Sequence, residues 1–186
     1  LLIGAGTPFL NVQLGLGGID LLAPDEEVRV GSEIQEEEWA DFGEADIFIA
    51  FDLEDDDRFD NQTIDTLYNF STSVANRSDV SSVVSIYYPT PDMNASDLKA
   101  IYSQPSDQQP VMIQELVNAT STEEVAIIRI VYTPEPGSPE AHTLVEEVRL
   151  MEDELPIRGL VGGWAAISVD IIDEVQNKTP IAVTYI

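Results

Sequence analysis

The apolar and polar positions of this chain mark out two strand-helix-strand units separated by a polar stretch. Residues 46–53, DIFIAFDL, form a nearly continuous apolar run, the pattern of a buried strand. EDDDRFD follows as a turn. From Asn61 to Ala75, Ile64, Leu67, Tyr68 and Val74 share one helical face. Residues 82–88, SVVSIYY, are β-branched and aromatic and predict a second strand, ended by Pro89 and Pro91. The second unit opens with EVAIIRIVY over 124–132, the clearest strand in the sequence. Ser138, Pro139 and Glu140 then supply a cap, a proline and an acid in the order that starts a helix. Ala141, Leu144, Val145, Val148 and Met151 continue it as an amphipathic stripe. A short strand is predicted over 155–161, followed by Gly-Gly and a helix-like segment.

Between the units, about 91–121 reads as an insert with two short helices. One starts at Ser96, with Leu98, Ile101 and Tyr102 on one side. The other starts near Pro110, with Val111, Ile113, Leu116 and Val117. The first 40 residues are different: LNVQLGLGGIDLLAPDEE is extended with Gly and Pro breaks, and SEIQEEEWADF predicts a short acidic helix. The order βαβ, insert, βαβ predicts an α+β ferredoxin-like sandwich, with one four-stranded sheet and helices on one face. The expected divisions are a lead-in from a preceding transmembrane helix over 1–45, the sandwich over 46–163, and a linking helix with the start of the next transmembrane helix over 164–186. A length of 186 residues suits one such domain with a core of its own.

Charge changes the picture. The chain has 35 acidic residues against 8 basic ones, a net charge of −27. That disfavours nucleic acid and anionic membrane surfaces as partners through a basic patch. The acids are spread along the chain, which favours a solvated acidic surface over an acidic tail. Such a surface suits high salt, where screening weakens self-repulsion. The scarcity of lysine, with only Lys99 and Lys178, fits a halophilic source.

Cysteine is absent, which excludes disulfides, thiolate metal sites and cysteine nucleophiles. His142 is the sole histidine, so no multi-histidine metal site exists, and a Ser-His-Asp triad has one possible centre. His142 follows a helix cap and reads as a boundary residue rather than a catalytic one. The acid cluster of Asp52, Glu54, Asp55, Asp56 and Asp57 fails the calcium-loop pattern: the sixth and twelfth positions are Asp57 and Thr63, not Gly and Glu. With so many acids, no carboxylate pair stands out as a catalytic dyad. Trp39 and Trp164 read as packing residues, with a membrane-water boundary as the alternative for Trp164. No catalytic, cofactor-binding or metal-binding residue is expected.

GLVGGW, between a strand and a helix, raises the question of a phosphate-binding turn. Gly159, Gly162 and Gly163 lack the dinucleotide spacing, and no lysine follows for a Walker loop. A close-packed turn is the better reading, with hinge duty on those three glycines.

Six of the seven asparagines stand in N-x-S/T sequons: Asn61, Asn69, Asn76, Asn94, Asn118 and Asn177. With Ser and Thr at about an eighth of the chain, about one such match is expected by chance. The excess points to N-glycosylation and a surface outside the cell. The chain starts in LLIGAGTPFL and stops in TPIAVTYI, apolar runs short of a membrane span. They are expected to be the cut ends of membrane helices, with ordinary core strands as the alternative.

Four stretches carry a family resemblance: TPFLNVQLGLGGIDLLAPDEEVR; ADIFIAFDL with SDVSSVVSIY; AIIRIVYTPEPGSPEAHTLVEEVR; and LVGGWAAISVDIIDEV with TPIAVTYI. In their order the chain resembles the second extracytoplasmic porter domain of MMPL-type transporters of the resistance-nodulation-division superfamily. The insert over 91–121 has no counterpart in the resemblance. The resemblance implies a cell-membrane protein, with this domain on the extracellular side of a proton-driven exporter of lipids or other hydrophobic molecules. It implies as partners the rest of the same transporter, namely a transmembrane domain and a first porter domain. It places the proton-relay carboxylates in membrane helices outside this fragment, leaving no catalysis here. Tyr102 and Met112 are candidates for a partly apolar substrate cleft. The rival expectation is an extracellular ligand-binding or sensor domain between two membrane spans. A hydrolase is the weakest reading, with one histidine and no nucleophile setting.

Overall fold

A computed structural model describes Ala23 and residues 45–53, 57–135 and 137–184. The lead-in, the acidic helix expected in SEIQEEEWADF and Trp39 lie outside the described residues, apart from Ala23 and Ala45. The element order is β1 (Ala45–Asp52), α1 (Asn61–Ala75), β2 (Val80–Val84), α2 (Ala95–Tyr102), a 3-10 turn (Ser106–Gln108), α3 (Val111–Thr120), β3 (Val125–Tyr132), α4 (Pro139–Asp153), β4 (Gly159–Gly163) and α5 (Trp164–Thr184). The protein is α+β, and its four strands form one sheet in the order β2-β3-β1-β4 with every neighbouring pair antiparallel. This arrangement is compatible with the ferredoxin-like sandwich.

The side-chain period of two decides which face the helices cover. Ile47, Ile49 and Phe51 of β1 are buried, and so are Ala126, Ile128, Ile130 and Tyr132 of β3. Against them pack Ile64, Leu67, Phe70 and Val74 of α1, with Ala141, Leu144, Val145 and Val148 of α4. Each large apolar side chain so buried contributes roughly 1.5–3 kcal/mol. On the other face Phe48 is exposed beside the half-buried Arg129, its register partner.

Local chemistry sets the element ends. Asp60 caps α1 by accepting from the Gln62 N–H at 2.8 Å. Asn94 caps α2, with its side chain accepting from Asp97 N while Asp97 accepts from Asn94 N. The expected start at Ser96 is one residue late, because Asn94 completes this reciprocal box and the helix begins at Ala95. Ser138 caps α4 through the Ala141 N–H at 3.1 Å.

Two strands shift from their expected places. β2 is Val80–Val84, and the apolar residues after it enter a turn, closed by a bond from Tyr88 N to Ser85 O. A register shift between Val80 and Ser82 lets both Val80 and Val83 face the core. β4 is Gly159–Gly163, not 155–161. Ile157 is buried in the connection ahead of it.

The insert is anchored, not loose. Leu98, Tyr102 and Ile113 are buried in the common core. Tyr102 donates its hydroxyl to Ile86 O at 2.6 Å and stacks on Phe59 at 4.6 Å. Arg58 donates to Thr122 O at 2.7 Å, tying the segment before α1 to the end of the insert.

Arg77 forks onto Asp79 at 2.9 and 2.8 Å and reaches Glu147 of α4 at 2.5 Å. The Arg77 hydrogen bond holds the Asp79 carboxyl below the usual aspartate value. Because the folded value is lowered, the stabilisation is complete above the unfolded aspartate value of about 3.9 and is lost as pH falls through the folded one. Thermal melts of the wild type and Asp79→Asn should differ by a constant amount from neutral pH to about pH 5, with the wild type higher, and converge in stronger acid. A difference that persists unchanged at about pH 2 would contradict this role.

Candidate functional site

The three glycines singled out by sequence all lie within β4, and the structure separates their roles. Gly162 faces Phe48 across the ladder and Gly163 faces Ile47. The expected Gly-Gly turn is therefore the end of a strand, and α5 begins at the next residue with no loop. Gly163 makes the junction by its backbone, with φ at 106°, a region side-chain-bearing residues avoid. A Cβ there would run into the Asp46 carbonyl oxygen and sit 3.2 Å from Ile47 Cα. Gly162 has open space around the same position, with the nearest atom at 4.0 Å.

Gly159 is a close-approach glycine. Its N–H donates to Glu152 Oε1 at 2.5 Å, and a Cβ would meet the Glu152 side chain at 2.8 Å. Glu152 is buried in the last turn of α4. The bond fastens the end of α4 to the start of β4. Sequence reasoning missed Glu152, although a signal was present: it stands four residues after Val148 on the buried stripe, where an apolar residue is expected.

α5 closes over the sheet beside α4. Ala165, Ala166 and Val169 join the core, and Arg149 of α4 pairs with Asp170 at 2.8 Å. His142 lies at 3.8 Å from Glu146 Oε2 and 3.9 Å from Asp173 Oδ1. It is a partly exposed boundary residue beside carboxylates, and the two serines near it are engaged elsewhere: Ser138 Oγ accepts from Ala141 N and Ser168 Oγ donates to Trp164 O. The crevice it shares with Ser138, Ala141, Ser168 and Ile172 has a volume of about 10 Å³, room for one water at most. A shallow depression beside it is lined by Asp79, Glu135, Ser138 and Glu140. The first is too small for a hydrophobic substrate, and the second is open to solvent with three carboxylates among its lining residues.

The remaining candidates fall apart in space. Tyr102, expected toward a cleft, is buried with its hydroxyl bonded, so its role is to seat the insert. Burial drives its pKa upward. Met112 is exposed next to the exposed Val111. Trp164, expected as a packing residue, is exposed at the first position of α5. It lies outside the core because the sharp exit at Gly163 points the next two residues, Ala165 and Ala166, inward instead. Asp57 caps its own turn by accepting from Phe59 N at 2.9 Å. Among the described residues, no group of three or more acids or histidines is placed to hold a metal.

Tyr132 is buried with its hydroxyl unpartnered, and its pKa is pushed up to about 12 by burial and by Asp46. Asp46 receives Arg129 Nε at 2.9 Å through one oxygen, while its other oxygen is buried without a partner. The sequon asparagines Asn61, Asn69, Asn76, Asn94 and Asn118 are all exposed. No protein-family model matches the chain, and no curated protein matches it either.

Alanine at each glycine should separate these roles. Gly163→Ala should cost on the order of 3 kcal/mol or more, through positive φ and a backbone clash. Gly159→Ala should cost about 1–3 kcal/mol by displacing the Glu152 carboxylate. Gly162→Ala should fall within about 1 kcal/mol of wild type. Urea denaturation of the three variants gives the order, and an equal loss at Gly162 would refute it.

Proposed function

We propose that this chain is an extracellular porter domain of a proton-driven MMPL/RND-type exporter, forming part of the route taken by lipids or other hydrophobic molecules. We also infer that its fold is ferredoxin-like. The observation that supports both is the sheet order β2-β3-β1-β4, with two split strand-helix-strand units and α5 running directly out of edge strand β4. That is the arrangement the resemblance implies for a domain coupled to a following helix. In this reading the domain works by rigid-body tilting. Hinge duty narrows to Gly163, which is the last residue of the ladder, adjoins α5 and alone of the three takes a positive φ. The fragment performs no catalysis, and its partners are the membrane part and a first porter domain of the same transporter.

Among the described residues, no helix is long and apolar enough to cross a membrane. α5 carries Asp170, Asp173 and Glu174, so it serves as a linking helix.

The rival is a sensor domain between two membrane spans. A hydropathy scan of the complete reading frame separates them. The transporter reading expects about five further spans after Ile186 and an equivalent domain upstream. Two flanking spans alone would overturn it in favour of the sensor. In the whole transporter, Gly163→Ala should then reduce export per molecule at the cell surface, whereas Gly162→Ala should leave export intact. The extracellular placement has its own check: expression through a glycosylating secretory route should yield a chain whose mass falls on treatment with an N-glycosidase. An unchanged mass would remove the sequons as support.

A further inference from the structure

Apart from its core-facing side, α5 presents a second apolar side to solvent. Trp164, Ile167 and Ile171 are 58%, 48% and 43% exposed. Their spacing of three and then four residues puts them on one stripe of the helix, the seam along which a second helix packs. The buried side of α5 is formed by Ala165, Ala166, Val169 and Ile172, so the exposed stripe is not needed for the fold. Asp170 and Glu174 flank it, each more than half exposed even though paired with Arg149 and Lys178.

Five of the six sequons lie elsewhere, while the sixth, Asn177, is on α5 itself. Asn61, Asn69 and Asn76 are on α1 and its cap, Asn94 caps α2, and Asn118 is on α3. α1 packs on edge strand β2, α2 packs on α1, and α3 packs on β3, whereas α5 packs on β1, β4 and α4. α5 therefore packs away from the elements that carry those five acceptors.

We propose that this stripe is a docking surface for a helix of a partner protein domain, apolar along one face and lined beside that face by lysine or arginine. Charge selects the occupant. A second copy would bring another net charge of −27 and a second set of acidic flanks against the first. An anionic lipid surface meets the same repulsion. A basic-flanked helix meets a chain of net charge −27 and can share Asp170 and Glu174 with Arg149 and Lys178 while covering the three apolar side chains. The inference is independent of the transport reading, since it rests on α5 alone, and the reading-frame scan does not bear on it.

The test uses the whole chain carrying Trp39→Phe, which leaves Trp164 as the sole tryptophan. Acrylamide should quench Trp164 readily in the free chain. Titration with a synthetic helix of leucines at the seam positions and lysines beside them should shift Trp164 emission to the blue. Ile167→Asp should weaken that binding about tenfold or more, as expected for a central anchor. Met112→Asp, at an exposed apolar site on the sequon-bearing insert, should leave it unchanged. Circular dichroism should show both variants folded, since each site is exposed. The proposal fails if Ile167→Asp binds as well as the parent, which would leave charge attraction alone. It also fails if Trp164 is shielded in the free chain, if sedimentation shows self-association that Ile167→Asp abolishes, or if the chain binds phosphatidylcholine vesicles through Trp164.

Discussion

The pairing of β1 with β3 is the constraint on which the fold depends. The register runs from Ala45 opposite Tyr132 to Asp52 opposite Val125. It puts Ile47 against Ile130 and Ile49 against Ile128, all with no exposed surface. A slip of one residue would turn Phe48 and Arg129 inward. α1 and α4 have an apolar floor to cover only because this register holds. β2 and β4 are then edge strands, each joined to one of the two central ones.

Cations are scarce, and their placement is not random. Arg58 ties the segment before α1 to the end of the insert, and Arg77 ties the α1–β2 turn to α4. Lys99 joins α2 to α1 at 2.6 Å, Arg129 joins β3 to β1 at 2.9 Å, and Arg149 joins α4 to α5 at 2.8 Å. Five of the chain's eight basic residues thus bridge separate elements. Exposed pairs of this kind contribute about 0–1 kcal/mol each and weaken in salt. Ties this weak set geometry, while the apolar core supplies most of the stability.

Periodicity made the central elements legible. α1 was readable from its apolar spacing, and β3 and α4 from a continuous run and a Ser-Pro-Glu start. The misplaced elements failed for a common reason: apolar residues can be buried without being in a strand. Ile86 and Tyr87 are fully buried in a turn, and Ile157 in a connection. Hydropathy alone extends the strands over them. The glycines were visible as a cluster, but their individual roles depend on Asp46 and Glu152, residues distant in sequence from at least one of them. The exposure of Trp164 follows from the backbone turn at Gly163, which composition does not encode. The ties through Arg77, Arg129 and Arg149 depend on which elements become neighbours, and no local pattern announces that.

The direct passage from β4 into α5 has a mechanical consequence. A flexible linker absorbs displacement, but here the strand ends at Gly163 and the helix begins at Trp164. At 1.5 Å per residue, α5 is a rod of about 30 Å. A sideways force at its far end is converted into torque on a five-residue edge strand held by one neighbour. Besides the packing of Ala165, Ala166 and Val169 into the core, two polar braces resist it: the Arg149–Asp170 pair partway along the rod and the Glu152 carboxylate at the foot of the strand. Motion at the remote tip therefore arrives at the sheet as a load on the β1–β4 hydrogen bonds, which makes this edge the fuse of the domain.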